Sequence, residues 1–355
     1  MGRLAVVVPV AEAERTLRAL HRAGVLDGAR KTERRGDEVW LPVTRRIDGH
    51  RVVEADLRPR ADHRAPRDEI VDELRDALPP EALPFVPDKW EKLGDVVVLR
   101  LSDELRPWET LVAAAFANGL GARTVLEDRS GVAGELREMR ATVLWGDDTV
   151  ATHVENGIRY RFDAARVMFS SGNVHERMRA AALPARGETV VDMFAGIGYF
   201  TLPLAVHAGA ARVHALEKNP VSFQYLVENV ALNGVEAVVA PWHGDNRDFP
   251  HEGIADRVMM GYFPGTRAFL PKAFAFLKPG GGTIHYHDTA HERTCRDELT
   301  RNVLEEGRAC GRVVAIRDAR VVKSHSPGVV HAALVISVRG AACGSVCPWR
   351  RSPRC

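Results

Sequence analysis

The fold class predicted for residues 163–340 is α/β, a doubly wound and mostly parallel sheet. Three observations carry it. Strand-like and helix-like stretches alternate throughout this part of the chain. A β-branched run, Val190-Val191-Asp192, leads into a turn containing Gly196 and Gly198, and a helical stretch follows. An acidic residue, Glu217, closes the next apolar run, Arg212 to Leu216. That order places a ligand at the carboxyl end of a parallel sheet, where strand order switches.

Taken in order, the predicted strands of this part are Thr189–Met193, Arg212–Glu217, Val235–Trp242, Arg257–Gly261, Thr283–Tyr286, Arg312–Val322 and His331–Val338. The predicted helices are Val174–Ala182, Thr201–His207, Pro220–Asn233, Pro271–Leu277 and Ala290–Gly311. The last two strands follow a helix closely, which suits an antiparallel edge hairpin.

Smaller units precede this sheet. Leu4 to Val10 reads as a strand, and Ala13, Leu17 and Leu20 give Ala11–Ala23 a helical apolar spacing that Gly24 stops. Glu38–Val43 reads as a second strand of this unit, which ends near His63. Arg58–Arg67 is rich in Pro and charge and reads as a linker. A second unit runs from 64 to 165: a helix at Asp68–Ala77, a turn and strand over Lys92–Arg100, and a helix at Trp108–Ala117. Strands follow at Thr124–Glu127, Thr142–Leu144, Ala151–Glu155 and Ile158–Phe162, with Asn156-Gly157 as the hairpin turn between the last two. Domains are therefore expected at 1–63, 64–165 and 166–340, and the Pro-, Arg- and Cys-rich stretch 341–355 is expected to be a disordered tail.

Composition narrows the class. The chain has 355 residues, is 45% hydrophobic and 27% charged, and fits a globular protein with a sizeable core. Net charge is only +2, so charge alone says nothing about nucleic acid. Seven of the 49 basic residues are Lys and the rest Arg, which suits bidentate phosphate contacts but equally reflects a GC-rich genome. The odd count of five Cys argues against a disulfide framework, and Cys343, Cys347 and Cys355 have no fourth ligand near them for a metal. The amino-terminal stretch is too short for a membrane span and carries no cleavage pattern, so a cytoplasmic protein off the membrane is expected.

The spacing Asp-x-Phe-x-Gly-x-Gly from Asp192 through Phe194 and Gly196 to Gly198 differs from the dinucleotide pattern. It points to S-adenosylmethionine (SAM). Glu217 would accept from the ribose diol, and Asp245 and Asn246, at the end of the third strand, from the adenine edge. Upstream, Ser170 and Arg177 offer a hydroxyl and a guanidinium for the carboxylate of the methionyl part, and Asn173 would cap the following helix. The fourth strand ends Met259-Met260-Gly261-Tyr262-Phe263-Pro264. Amino-group methyltransferases place a polar loop with an Asn there, whose side chain accepts from the target amine; Gly261 removes that acceptor and disfavours ordinary N-methylation. His285 and His287, on one face of the next strand, are expected to line the base pocket; a zinc site would need a third ligand. No catalytic residue can be named from these patterns.

The stretches Phe169–Arg179, Val191–Leu204, Leu216–Gly234, Gly244–Phe249, Asp256–Thr266 and Thr283–Thr289 resemble the tRNA wybutosine-synthesising protein 2 family. These are aminocarboxypropyltransferases, sisters of the tRNA (guanine-37-N1) methyltransferases. Met260-Gly261-Tyr262, Ile284–His287 and Ser326–His331 are similar to the aminocarboxypropyltransferase branch, whereas residues 4–43 resemble the small N-terminal domain of the methyltransferase sister, which contacts the tRNA elbow. The resemblance implies a Rossmann-like class I SAM-dependent transferase domain preceded by smaller α+β RNA-binding domains. It implies SAM as group donor, bound by residues matching Ser170, Arg177, Glu217, Asp245 and Asn246. It implies transfer of the 3-amino-3-carboxypropyl group to C7 of 4-demethylwyosine at position 37 of tRNA(Phe), with the anticodon stem-loop as partner and a monomeric enzyme. Guanine-37-N1 methylation is the alternative.

Overall fold

The computed structural model describes residues 3–59, 65–133 and 138–340. The expected tail, with its three Cys, and residues 60–64 of the expected linker lie outside the described residues. The chain divides into two compact units, Met1–Asp76 and Ala77–Cys355, so the two domains expected beyond residue 64 form one unit from Ala77 onward.

The first unit contains β1 (Leu4–Pro9), α1 (Val10–Arg22), β2 (Glu33–Arg35), β3 (Glu38–Val43), β4 (Val52–Glu54) and α2 (Pro66–Leu74). The strands form an antiparallel sheet in the order β2-β3-β1-β4. Val6, Val8, Leu20, Val25, Leu41 and Val43 make its core. The helix buries Thr16 and Leu20, whereas Leu17, expected on the apolar face, is 36% exposed. β2 and β4 are three residues each and too short to show a period in the sequence.

The second unit begins with β5 (Trp90–Leu93), β6 (Val96–Leu99), α3 (Glu109–Leu120), β7 (Thr124–Ala133) and β8 (Glu138–Trp145), a sheet ordered β5-β6-β7-β8. β6 and β7 are parallel with α3 as their crossover, and all four residues of β6 are buried. The hairpin β9 (Val150–Glu155) and β10 (Ile158–Asp163) turns at Asn156-Gly157, whose positive φ values of 51° and 75° are those the paired strands' twist requires.

The remaining elements are α4 (Val174–Ala181), β11 (Thr189–Asp192), α5 (Thr201–Val206), β12 (Arg212–Glu217), α6 (Pro220–Leu232), β13 (Val239–His243), β14 (Arg257–Met260), α7 (Leu270–Phe276), β15 (Gly281–His291), α8 (Cys295–Ala309), β16 (Val313–Ser326) and β17 (Val329–Arg339). They build a seven-stranded sheet ordered β13-β12-β11-β14-β15-β17-β16. The first five strands are parallel, and β17 and β16 close the edge antiparallel, as expected from the sequence. Both faces are covered, and side chains alternate between them: Val190, Ala215 and Met259 enter one core, Val191, Leu216 and Met260 the other. The expected strand start at Val235 is early. Gly234, at φ 66°, ends α6, and backbone turns from Val235 to Val238 and Val239 delay the strand to Val239. The helix expected from Ala290 begins only at Cys295, because β15 runs on to His291 in register with β17.

The β9–β10 hairpin attaches to the large sheet's layer through two asparagines four apart, Asn229 on α6 and Asn233 just past its carboxyl end. Asn229 accepts from Arg161 N at 2.7 Å and donates to Arg161 O and Ile197 O, each at 3.1 Å. Asn233 repeats this at Arg159, with bonds of 2.9 and 2.7 Å. The two amides thus give β10 the backbone partners that a neighbouring strand would supply. Asn229 is fully buried. Replacing it with Ala strands three polar groups, and we expect a loss of about 2–4 kcal/mol, read as a lower denaturant midpoint for Asn229→Ala.

Candidate active site

A cavity opens at the carboxyl ends of β11, β12, β13 and β14, where the crossovers run outward in both directions from β11. Of the expected site residues, Ser170, Arg177, Phe194, Gly196, Glu217, Asp245 and Asn246 line it. Asp192 does not. It is fully buried beneath the loop, accepting from Thr201 Oγ1 at 2.8 Å and from Phe194 N at 3.4 Å, and burial pushes its carboxyl up to about 6. Its expected contact with the ligand is therefore replaced by a supporting one, which ties the loop to the first turn of α5.

Above Asp192 the loop is shaped by close approach. Gly196 lies at φ 57°, and a Cβ there would meet the Tyr199 ring at 2.5 Å. Phe194 stacks on Tyr262 at 5.0 Å between centroids and stands edge-on to Phe269. Glu217 Oε2 accepts from Gly196 N and Oε1 from Asn219 N, both at 2.7 Å. The acid closing the second strand thus also fixes the glycine loop of the first. Burial pushes its carboxyl up, against those backbone bonds.

At the third strand end, Asp245 is gripped by Arg247, at 2.8 Å from Nε, and lies 3.3 Å from Lys218 Nζ. The Arg247 hydrogen bonds hold its carboxyl well below the usual range. Asn246 is buried and donates to Met193 O at 3.0 Å, which fixes its amide orientation. Its Oδ1 is buried with no hydrogen-bond partner among the described residues.

At the opposite end, Arg177 is almost fully buried and makes a bidentate pair with Glu155 on β9, with bonds of 2.6 Å. It also donates to Ser170 O at 3.1 Å and lies over the Phe169 ring at 4.4 Å. Its charge is already met inside the protein. The exposed end of this region carries instead Lys323 of β16, whose Nζ donates to Ser170 Oγ at 3.0 Å. No short-range spacing links residue 323 to residue 170. Asn173 occupies the position before α4, as expected, but its side chain makes no capping bond. Its Oδ1 is buried, lines the cavity and has no hydrogen-bond partner among the described residues.

The wall after β14 is aromatic. A Cβ at Gly261 would lie 2.5 Å from Phe200 Cε2 and 2.9 Å from Cδ2, so Phe200 fills the space that an Asn side chain would need. The loop after Gly261 is pinned by Asp288, which accepts from Gly265 N at 3.0 Å and from Tyr286 Oη at 2.9 Å. His287 and His331 both line the cavity, with His287 Nδ1 and His331 Nε2 3.0 Å apart. His285 does not line it. It sits 2.7 Å from Arg257 Nη1, and burial, with Arg257 adding, depresses it to about 3. Of the two histidines expected to line the base pocket, His287 does and His285 does not. Two residues along a tilted strand carry His285 away from the carboxyl end, and the partner comes from β17. Among the described residues no group of three metal-ligating side chains occurs, and no helix is long and apolar enough to cross a membrane.

Known proteins share this arrangement. The TRM5/TYW2 methyltransferase domain profile matches residues 151–314, the TYW2 N-terminal domain profile 70–149, and the tRNA methyltransferase 5 N-terminal domain profile 5–51. A curated relative from Pyrococcus horikoshii, named tRNA(Phe) (4-demethylwyosine(37)-C(7)) aminocarboxypropyltransferase, is 43% identical over 265 residues, covering 75% of this chain and 94% of that protein. The chain belongs to the TRM5/TYW2 family. The P. horikoshii TYW2 structure in complex with MeSAdo superposes with a TM-score of 0.71 at 40% identity, covering 78% of this chain and all of that one. Trm5b from Pyrococcus abyssi gives 0.69 at 31% identity and covers 95% of this chain and 99% of its own. The longer coverage includes the first unit.

Two variants test this geometry. Glu155→Gln leaves the buried Arg177 charge uncompensated and is expected to cost about 3–5 kcal/mol, read by chemical denaturation. Gly261→Asn overpacks against Phe200 and is expected to cost about 1–3 kcal/mol. In melts of the double variant Gly261→Asn/Phe200→Ala, the two losses should sum to more than the loss observed, because the smaller ring site accepts the new side chain.

Proposed function

We propose that this chain transfers the 3-amino-3-carboxypropyl group of SAM to C7 of 4-demethylwyosine at position 37 of tRNA(Phe), releasing 5′-methylthioadenosine. The observation that carries the reading is the 43% identity extending over 94% of the P. horikoshii aminocarboxypropyltransferase. The cavity fits the donor on its own chemistry. A SAM molecule needs an acceptor for the adenine amino group, one for the ribose diol, and both an acceptor and a cation for its amino-acid end. Asn246 Oδ1 and Asp245 serve the first, and Glu217 the second. Asn173 Oδ1 accepts from the α-ammonium, and Ser170 Oγ, with Lys323 behind it, meets the carboxylate. Arg177 holds the Ser170 backbone in place, and Phe194 and Gly196 form the floor under the sugar.

SAM supplies a sulfonium whose methyl and γ carbons are both electrophilic. The reaction is therefore decided by which carbon faces the acceptor, a matter of orientation. In this reading the orienting groups are Asn173, Ser170 and Lys323 at one end and the Gly261–Phe200 wall at the other. The tRNA is read mostly by shape at an unstacked anticodon-loop base, and the enzyme acts as a monomer on the anticodon stem-loop.

A second reading, guanine-37-N1 methylation, is favoured by the match of residues 5–51 to the tRNA methyltransferase 5 N-terminal domain. It lacks an amine acceptor at residue 261. Incubating the protein with SAM and tRNA(Phe) carrying the tricyclic precursor, then weighing nucleoside and by-product, separates the two. We expect an aminocarboxypropyl adduct with methylthioadenosine; a methylated guanosine with S-adenosylhomocysteine overturns the reading.

A further inference from the structure

Replacing hydrogen by carbon at C7 obliges the base to lose a proton, and the proposed function leaves that proton without a named acceptor. The carboxylates of the cavity are poorly suited. Glu217 is held by two backbone N–H groups at the ribose site, and Asp245 is neutralised by Arg247 and Lys218 at the adenine site. Glu176 is bound twice by Arg320, at 3.0 and 2.6 Å.

One unassigned group remains on the wall beside Gly261. His287 of β15 and His331 of β17 are 2% exposed each, line the cavity, and share a contact of 3.0 Å between Nδ1 and Nε2. The register that pairs His287 with Ala333 and Thr289 with His331 sets the two rings diagonally on one face. His331 stacks on Phe263 at 4.0 Å, and His287 lies 5.5 Å from Phe200, so the pair belongs to the aromatic wall against which a flat base would lie.

We propose that the His287–His331 imidazole pair takes up the proton that C7 releases, acting as the catalytic base of the transfer. The inference rests on the activity proposed above. In the step, C7 gives an electron pair to the γ-carbon, the C7–Cγ bond forms as the Cγ–S bond breaks, and sulfur leaves with its pair as the thioether. C7 then bears both the new carbon and its old hydrogen, and the ring carries the positive charge. Transfer of that hydrogen as H⁺ to a ring nitrogen restores the neutral base and leaves an imidazolium, which later yields its proton to water. The charged ring form has strongly acidic C–H, so a weak base suffices.

The surroundings keep the His287 ring neutral until then. Burial, with the Arg320 charge adding, depresses His287 to about 3. The groups facing it are Glu176 from α4, with Oε2 3.8 Å from His287 Nε2, Arg320 from β16, and the apolar rings of Phe200 and Phe263. A neutral His287 ring does not repel a sulfonium, and Glu176 stands close enough to steady the imidazolium once formed.

The test uses full-length wild type, His287→Gln and His331→Gln with precursor tRNA(Phe) carrying either hydrogen or deuterium at C7. Wild type must first give the aminocarboxypropyl product; its failure to do so overturns the activity itself. Given product, we expect SAM affinity by calorimetry to stay near wild type, while turnover falls by about 100-fold or more. Proton loss should then limit the rate, so the variants should show a larger deuterium isotope effect than wild type. Wild-type turnover in either folded variant, or slow turnover with an unchanged isotope effect, overturns the proposal. Nitrogen NMR of histidine-labelled wild type tests the pair without any variant: both rings must be neutral at pH 7, and an imidazolium at either position overturns the proposal.

Discussion

The pair between Arg177 and Glu155 is the constraint on which the rest of the active unit depends. A guanidinium at 4% side-chain exposure cannot stay charged without a partner, and the partner lies on the β9–β10 hairpin. The pair therefore fixes that hairpin against α4. The same guanidinium holds Ser170 O and rests on Phe169, so the segment leading into the cavity is bound at three points. Asn229 and Asn233 fasten the other side of the hairpin to α6. The hairpin, which the sequence places among the RNA-binding strands, is thus a brace for the SAM pocket. These contacts hold the hairpin of residues 150–163 within the same compact unit as the doubly wound sheet.

What the sequence makes legible follows from range. The parallel sheet, its switch point and Glu217 are readable because each depends on contacts within one strand–turn–helix unit. So is the antiparallel edge, since the last two strands follow one another directly. Lys323 is not, because its partner is 153 residues away and the register of a long hairpin with three irregularities decides which side chain arrives. His331 escapes for the same reason, since β17 reaches β15 only after α8 and β16 intervene. Asp192 departs from expectation for a different cause. The motif position is right, but a residue at the last position of a buried strand points beneath the loop, and Thr201 is there to receive it. Asn173 shows the reverse: a helix-start position whose residue type suits a cap, with a side chain that makes none.

The electrostatics of the cavity divide it by task. The carboxylates at the third and second strand ends already have fixed partners: Asp245 its two cations, Glu217 two backbone amides. Such fixed partners need no reorganisation when a nucleoside binds. Around Gly261 the wall is aromatic, and burial, with the Arg320 charge adding, depresses His287, although Glu176 lies directly behind. The carboxylate nearest the Gly261 wall, Glu176, is paired with Arg320, whereas Asp245 and Glu217 lie at the strand ends across the cavity.

That division bears on why one residue at the end of β14 matters. An Asn there would place an amide oxygen against an incoming amine and so reward a nitrogen nucleophile with a hydrogen bond. A carbon nucleophile has no donor to offer, and the same oxygen would be buried without a partner, at a cost of about 1–3 kcal/mol. Gly261 removes the acceptor, and the Phe200 ring occupies the space, within 2.5 Å of where a Cβ would stand. The exchange converts a hydrogen-bonding wall into a stacking one. A flat tricyclic base gains more from that surface than an amine does, because its recognition rests on ring area and not on a donor. In the proposed reading, selection for carbon over nitrogen is partly a matter of what the wall cannot do. On that reading the discrimination comes from an acceptor withheld, and the Phe200 ring crowds any side chain placed at residue 261.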